Sequence, residues 1–332
     1  MVNLKKAGDF GDLMLRRKQV HILPIFVLFL FSGATGLAYE VIWTRMLIRS
    51  FGATSLAVST VLAAYMAGLA LGSYLFGRLI DRRGNPVLIY GLLELGIGIF
   101  ALSFPLIVKA LTPLYRSIYP GLHAHFYTLS LVRFVLSFLI LLIPTTLMGG
   151  TLPVLSKYVT RDLSNLTIRV GSLYAINTFG AVVGTFATGF LLMPNLGMRS
   201  TTHLAVAANL IIFVIALTLS RGVKASATEI SASEPVKVSP GLSRTEKIVL
   251  VAFLMTGLAA LAAEVLWSRV LTLVVGTTVY AIATMLTTFL LGLAVGSAVF
   301  ARIAQRTRHP GRIFGCLVVA IGLTVFASMV LF

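Results

Sequence analysis

Long apolar runs alternate with short polar segments along almost the whole chain. Each run is about 20 residues long, the length an α-helix needs to cross a hydrocarbon core about 30 Å thick. Nine such runs occur, at about 22–44, 53–77, 86–108, 127–150, 171–193, 200–220, 248–268, 278–301 and 313–332. Asn85-Pro86 opens the third, where proline suits a first helical turn, and His309-Pro310 precedes the ninth. The longest polar stretch, 221–247, is rich in Ser, Ala, Glu and Lys, contains Pro235 and Pro240, and reads as a flexible linker. The pattern predicts an all-α polytopic membrane protein with about nine transmembrane helices. Its divisions are a basic tail at 1–21, a first six-helix bundle at 22–220, the linker at 221–247 and three further helices at 248–332.

Composition narrows the class. Of 332 residues 58% are hydrophobic and 11% charged, where a soluble domain carries about 25% charged residues. That excludes a soluble globule, and the hydrophobicity excludes disorder. The lone Cys316 excludes an internal disulfide and a Cys-cluster metal site. His123 and His125 lack a third ligand and make no metal site. A net charge of +17 would point to nucleic acid in a soluble domain. Here the cations sit between apolar runs, so the implied partner is the bilayer and not nucleic acid.

The cations also orient the chain. With the N-terminus inside, 20 Lys and Arg fall in inner segments and six in outer ones, namely Arg45, Arg49, Lys109, Arg116, Arg199 and Arg269; Arg133 alone lies within a span. This positive-inside bias predicts a cytoplasmic N-terminus and a C-terminus at the outer face of a bacterial inner membrane.

The chain repeats itself. At an offset of 224 residues, Glu40 matches Glu264, Trp43 matches Trp267, Arg45 matches Arg269, Gly68 matches Gly292, Gly72 matches Gly296 and Pro86 matches Pro310. Positions 32–98 hold 27 identities in 67 without a gap. Apolar helices resemble one another by composition, but shared Glu, Trp, Arg and Pro at fixed spacing do not arise that way. The repeat makes the first run a structural helix rather than a cleaved signal peptide. Six helices separate the copies, so both have the same orientation. This arrangement resembles the parallel six-helix repeat of the major facilitator folds, here with an incomplete second half, 248–332 repeating 24–108.

Glu-x-x-Trp-x-Arg therefore occurs twice, near the outer ends of the first and seventh helices. One reading is a helix-end anchor: Trp in the interfacial belt, Arg snorkelling outward, Glu paired to an Arg. The other is a gate or binding cluster, with Glu40 and Glu264 converging on a pseudo-two-fold axis. Deeper charges are Glu94 and Arg133, and depth favours pairing Arg133 with Glu40, which leaves Glu94 as the acid open to a substrate. Asn177 serves either as a site residue or as an interhelical hydrogen bond. Gly68-x3-Gly72 and Gly292-x3-Gly296 read as packing faces. The stretch from Pro144 to Pro153 reads as a helix end in a turn, or as a hinge. The inner loop with Gly77, Asp81, Arg82 and Gly84 looks like the cytoplasmic loop motif of the major facilitator superfamily, where Asp81 can meet the positive end of a helix.

Three motifs carry a closer resemblance: the two Glu-Val-x-Trp-x-Arg segments, Leu147-Met148-Gly149-Gly150-Thr151-Leu152-Pro153, and Arg169-Val170-Gly171-Ser172-Leu173-Tyr174-Ala175-Ile176-Asn177. Together these resemble the membrane region of bacterial fused major-facilitator/spermidine-synthase-like proteins, over about 30–332. The resemblance implies a transporter-like inner-membrane module for a polyamine or another small cation. The alternative is a non-transporting anchor for a spermidine-synthase-like domain. Partners implied are such a domain, or further copies of the chain completing the bundle. No catalytic, metal or cofactor motif occurs in the sequence.

Overall fold

Hydrocarbon offers the backbone no hydrogen-bond partners, so a chain this apolar must satisfy its peptide groups internally. In the computed structural model, which describes residues 22–51, 55–82, 84–122, 126–159, 166–222, 243–276, 278–304 and 310–331, every regular element is helical. In order they are α1 (Ile22–Phe51), α2 (Ser55–Arg82), α3 (Pro86–Leu122), α4 (Phe126–Val159), α5 (Leu166–Phe186), a π-helical turn (Ala187–Leu192), α6 (Met193–Gly222), α7 (Arg244–Val275), α8 (Thr278–Ala304) and α9 (Pro310–Leu331). The tail 1–21, His123, His125 and most of the linker lie outside the described residues.

Eight helical stretches are long and apolar enough to cross a membrane. The sequence pattern predicts nine, and the difference lies at the fifth and sixth. These join into one run, Ile168–Gly222, of 55 residues. At 1.5 Å per residue it would measure roughly 80 Å if straight, well over twice a bilayer core. It is not straight: Gly197 sits at φ 75 and ψ 172, outside helical geometry. A side chain there would be strained, and glycine supplies the break.

Two further expectations change. α3 runs to Leu122, through Pro105, Pro113 and Pro120, rather than ending near 108. α4 likewise continues through Pro144 and Pro153 instead of breaking. A proline removes the bond to the carbonyl four residues back, which is Ile140 for Pro144 and Gly149 for Pro153, and the threonines nearby bond to neighbouring carbonyls of the same helix. Thr145 and Thr146 donate to the Leu141 and Leu142 carbonyls at 2.6 Å each, and Thr151 donates to Met148 O at 2.7 Å. The linker is shorter than 221–247, because Arg221 and Gly222 end α6 and α7 begins at Arg244. Ser243 and Glu246 form a capping box there, with Ser243 N donating to Glu246 Oε2 at 2.7 Å.

Helix pairs meet where glycines remove side chains. α2 packs along α4 and α1 along α5. A Cβ on Gly149 would strike the Leu69 backbone, and one on Gly180 or Gly184 would strike the Leu30 or Ala34 backbone. α3 packs on α6, and α5 also meets α8, which carries the first bundle onto α7–α8.

Asn85 closes the base of α3. Its Oδ1 accepts from Val87 N at 3.1 Å, and its Nδ2 donates to Ser220 O of α6 at 2.8 Å. Asn85→Ala removes the cap and the tie together. We expect it to cost about 1 kcal/mol, read as a lower thermal midpoint in detergent. An unchanged midpoint would show that the cap contributes nothing.

Candidate functional site

Sequence spacing puts Glu40 and Thr44 one turn apart on α1, and Glu264 and Ser268 one turn apart on α7. In the fold all four line one small cavity, with Val58, Val61 and Leu62 of α2, Val265 of α7, and Ile282 and Leu286 of α8. Its volume is about 20 Å3, room for a single water. Glu40, Thr44, Val58 and Leu62 are the repeat counterparts of Glu264, Ser268, Ile282 and Leu286. The lining is thus largely built from matched pairs of the two copies.

The chemistry of this cavity is unusual for a helix interface. Glu40 is 6% exposed and Glu264 5%. Thr44 and Ser268 are also buried. Among the described residues neither Glu40 nor Glu264 has an ion pair, and the ion pair found there joins Lys157 to Asp81. The Thr44 hydroxyl donates to its own helix, to Glu40 O at 2.6 Å, so its lone pairs stay available. A buried acid without a paired cation is costly, which sets the pair apart from an ordinary apolar helix contact.

The anchor reading of the repeated motif therefore fails at its centre. Neither Arg45, partly exposed, nor Arg269, exposed, pairs with a Glu among the described residues. Trp43 is fully buried, stacked between Tyr39 at 5.2 Å and Phe104 at 4.8 Å, with Tyr65 and Phe100 beside it. An interfacial belt would leave its indole near water, but here the aromatic rings of α1 and α3 enclose it. Trp267 is half-buried, so the two copies differ at this position.

Glu94 is placed differently from expectation. Fully buried on α3, it accepts from Ser32 Oγ at 2.5 Å and from Asn209 Nδ2 at 2.6 Å. Tyr39 OH in turn donates to Asn209 Oδ1 at 2.8 Å. The Tyr90 hydroxyl faces the same carboxylate without closing a full hydrogen bond. Both oxygens of Glu94 are thus engaged by α1 and α6, and it is no open substrate contact. Sequence reasoning missed Ser32, Tyr39 and Asn209. The available signal was Asn209, an amide in an otherwise apolar span.

Arg133 does not reach Glu40. Its Nε donates to Tyr115 OH at 2.8 Å and its guanidinium lies 5.6 Å from that ring's centre, because α3 extends past 108 and brings Tyr115 alongside α4. Asn177 is an interhelical tie, its Nδ2 donating to Phe29 O at 3.0 Å. In the loop motif, Asp81 pairs with Lys157 Nζ at 3.2 Å instead of meeting a helix N-terminus. Lys157 also donates to Ile80 O at 2.8 Å, joining α4 to the end of α2. Gly84 has φ +119 and needs glycine, whereas a Cβ on Gly77 would meet nothing nearer than Pro153 Cβ at 3.9 Å. Arg82 ends α2. Among the described residues, no group of three or more His, Cys, Asp or Glu gathers.

The all-helical fold fits what sequence comparison finds. A family model described as the Major Facilitator Superfamily matches residues 25–332. No curated protein and no solved structure matches the chain.

Proposed function

The chain belongs to the Major Facilitator Superfamily, a multi-pass membrane protein of transporter-like character, and from that premise we propose that it carries a small cation between two halves that rock about the Glu40–Glu264 cavity. The observation that carries this is the cavity itself. Two buried carboxylates with matched neighbours, one set from each copy of the repeat, meet at the junction of α1, α2, α7 and α8. A scaffold has no use for such a pair, whereas a cation path through a low-dielectric interior requires acids. The matched lining supports a pseudo-two-fold axis along the membrane normal, relating helices one to three to the last three. Splitting the long helical run at Gly197 makes nine spans, and the charge bias supports an N-terminus in the cytoplasm.

A polyamine is the cargo class that the synthase-fused resemblance favours, and a spermidine-synthase-like domain is the soluble partner we propose with it.

Alternation is testable without knowing the cargo. Arg49 and Leu273 are counterparts in the repeat, both exposed near the ends of α1 and α7. Spin labels at Arg49→Cys and Leu273→Cys, in a Cys316→Ser background, should report two distance populations in nanodiscs. A single narrow distance, unchanged by spermidine or salt, would refute the rocking carrier and favour the anchor.

A further inference from the structure

We propose that the Glu40–Glu264 cavity binds one hard metal cation, held by oxygen ligands from α1 and α7. This deepens the transport reading by naming the class of coupling ion, and it rests on the two copies of the repeat meeting at this cavity.

Four observations converge. Both acids are more than nine-tenths buried, line the cavity and have no ion pair among the described residues. Both acidic side chains share a cavity of only about 20 Å3. Two like charges held together in a low-dielectric interior require compensation, and a cation between them supplies it. The other polar lining is Thr44 and Ser268, hydroxyls that can accept as well as donate. The donor set is therefore carboxylate and hydroxyl oxygen only, the set that suits hard cations and not soft ones.

Size narrows the choice further. A cavity of about 20 Å3 admits one water-sized particle, so the ion must shed its water and take its ligands from the protein. Mg2+ gives up water reluctantly and keeps several in most sites. Na+ and Ca2+ tolerate dehydrated, irregular oxygen cages better. The apolar remainder of the lining, Val58, Val61, Leu62, Val265, Ile282 and Leu286, excludes competing water.

The protein carries its own reporters. Its two tryptophans, Trp43 and Trp267, each follow one of the acids by three residues. The full chain in nanodiscs would be titrated with NaCl, CaCl2 and MgCl2, choline chloride holding ionic strength constant. Tryptophan fluorescence and the thermal midpoint would both be followed, because an ion that binds only the native state raises the midpoint. We expect a saturable response to Na+ or Ca2+ and none to Mg2+. Glu40→Gln and Glu264→Gln should each weaken it by roughly tenfold or more, since affinity follows ligand charge, and the double variant should abolish it. If the double variant does not fold, Thr44→Val with Ser268→Ala removes the hydroxyls at near-constant volume and should weaken the same response. No saturable response to either ion overturns the proposal. So does a response that survives in the double variant, or one that appears only on acidification, which would make the pair a proton site. Two Arg49–Leu273 distance populations without a cation response would overturn this inference alone and leave the carrier reading standing.

Discussion

Asn209→Ala should destabilise the first bundle by about 3 kcal/mol, seen as a thermal midpoint several degrees lower by far-UV circular dichroism in detergent. Asn209 is 1% exposed and serves two partners at once. It donates to Glu94 Oε2 at 2.6 Å and accepts from Tyr39 OH at 2.8 Å. Alanine would leave a buried carboxylate oxygen and a buried phenol without those partners. A buried polar group deprived of its partner costs more than the bond was worth in net terms, because nothing replaces it. Glu94→Gln gives the contrast. An amide of the same shape can accept from Asn209 and donate to Ser32, so stability should change by less than about 1 kcal/mol, and cation transport should match wild type. Equal stability of Asn209→Ala and wild type would remove the network from the account of how α1, α3 and α6 hold together.

Gly72→Ala and Gly296→Ala should differ sharply, although the two glycines occupy equivalent positions of the repeat. A Cβ at Gly72 would strike the Thr146 carbonyl and come within 3.0 Å of Gly150 N on α4. Backbone cannot swing aside as a side chain can, so α2 and α4 must separate, at a cost of about 1–3 kcal/mol or more. At Gly296 nothing described lies within 4 Å of the added carbon. There alanine only improves helix propensity, by up to about 1 kcal/mol. The measurement is the pair of thermal midpoints against wild type. Equal losses in both variants would mean that the Gly296 face is as closely covered as the Gly72 face.

The same comparison shows how far a repeat in sequence carries. The offset of 224 residues pairs Glu40 with Glu264, and both line one cavity. The pairing was legible because a shared acid in two otherwise apolar helices survives any local variation. It does not follow that the copies are packed alike. Trp43 is fully enclosed while Trp267 is half-buried, and the glycine face of α2 is filled while that of α8 is open.

Sequence alone determined that this chain is a bundle of membrane-length helices, where most of those helices begin to within a few residues, and which acids are singular. Those properties follow from hydrophobic length and from charge, and both are local along the chain. It also carried the glycine face of α2, because that spacing is set by helix period; the matching face of α8 meets nothing among the described residues. Tertiary structure alone decided the partners. Glu94 meets Ser32 and Asn209, which lie 62 and 115 residues away. Arg133 finds Tyr115 rather than Glu40 because α3 extends past 108, through Pro113 and Pro120, which the pattern reads as a loop. Asp81 finds Lys157 across 76 residues. Helix period says which residues share a face. It does not say how far each helix is rotated, how deep it sits or which neighbour the face meets, and those are set by packing between helices distant in the chain.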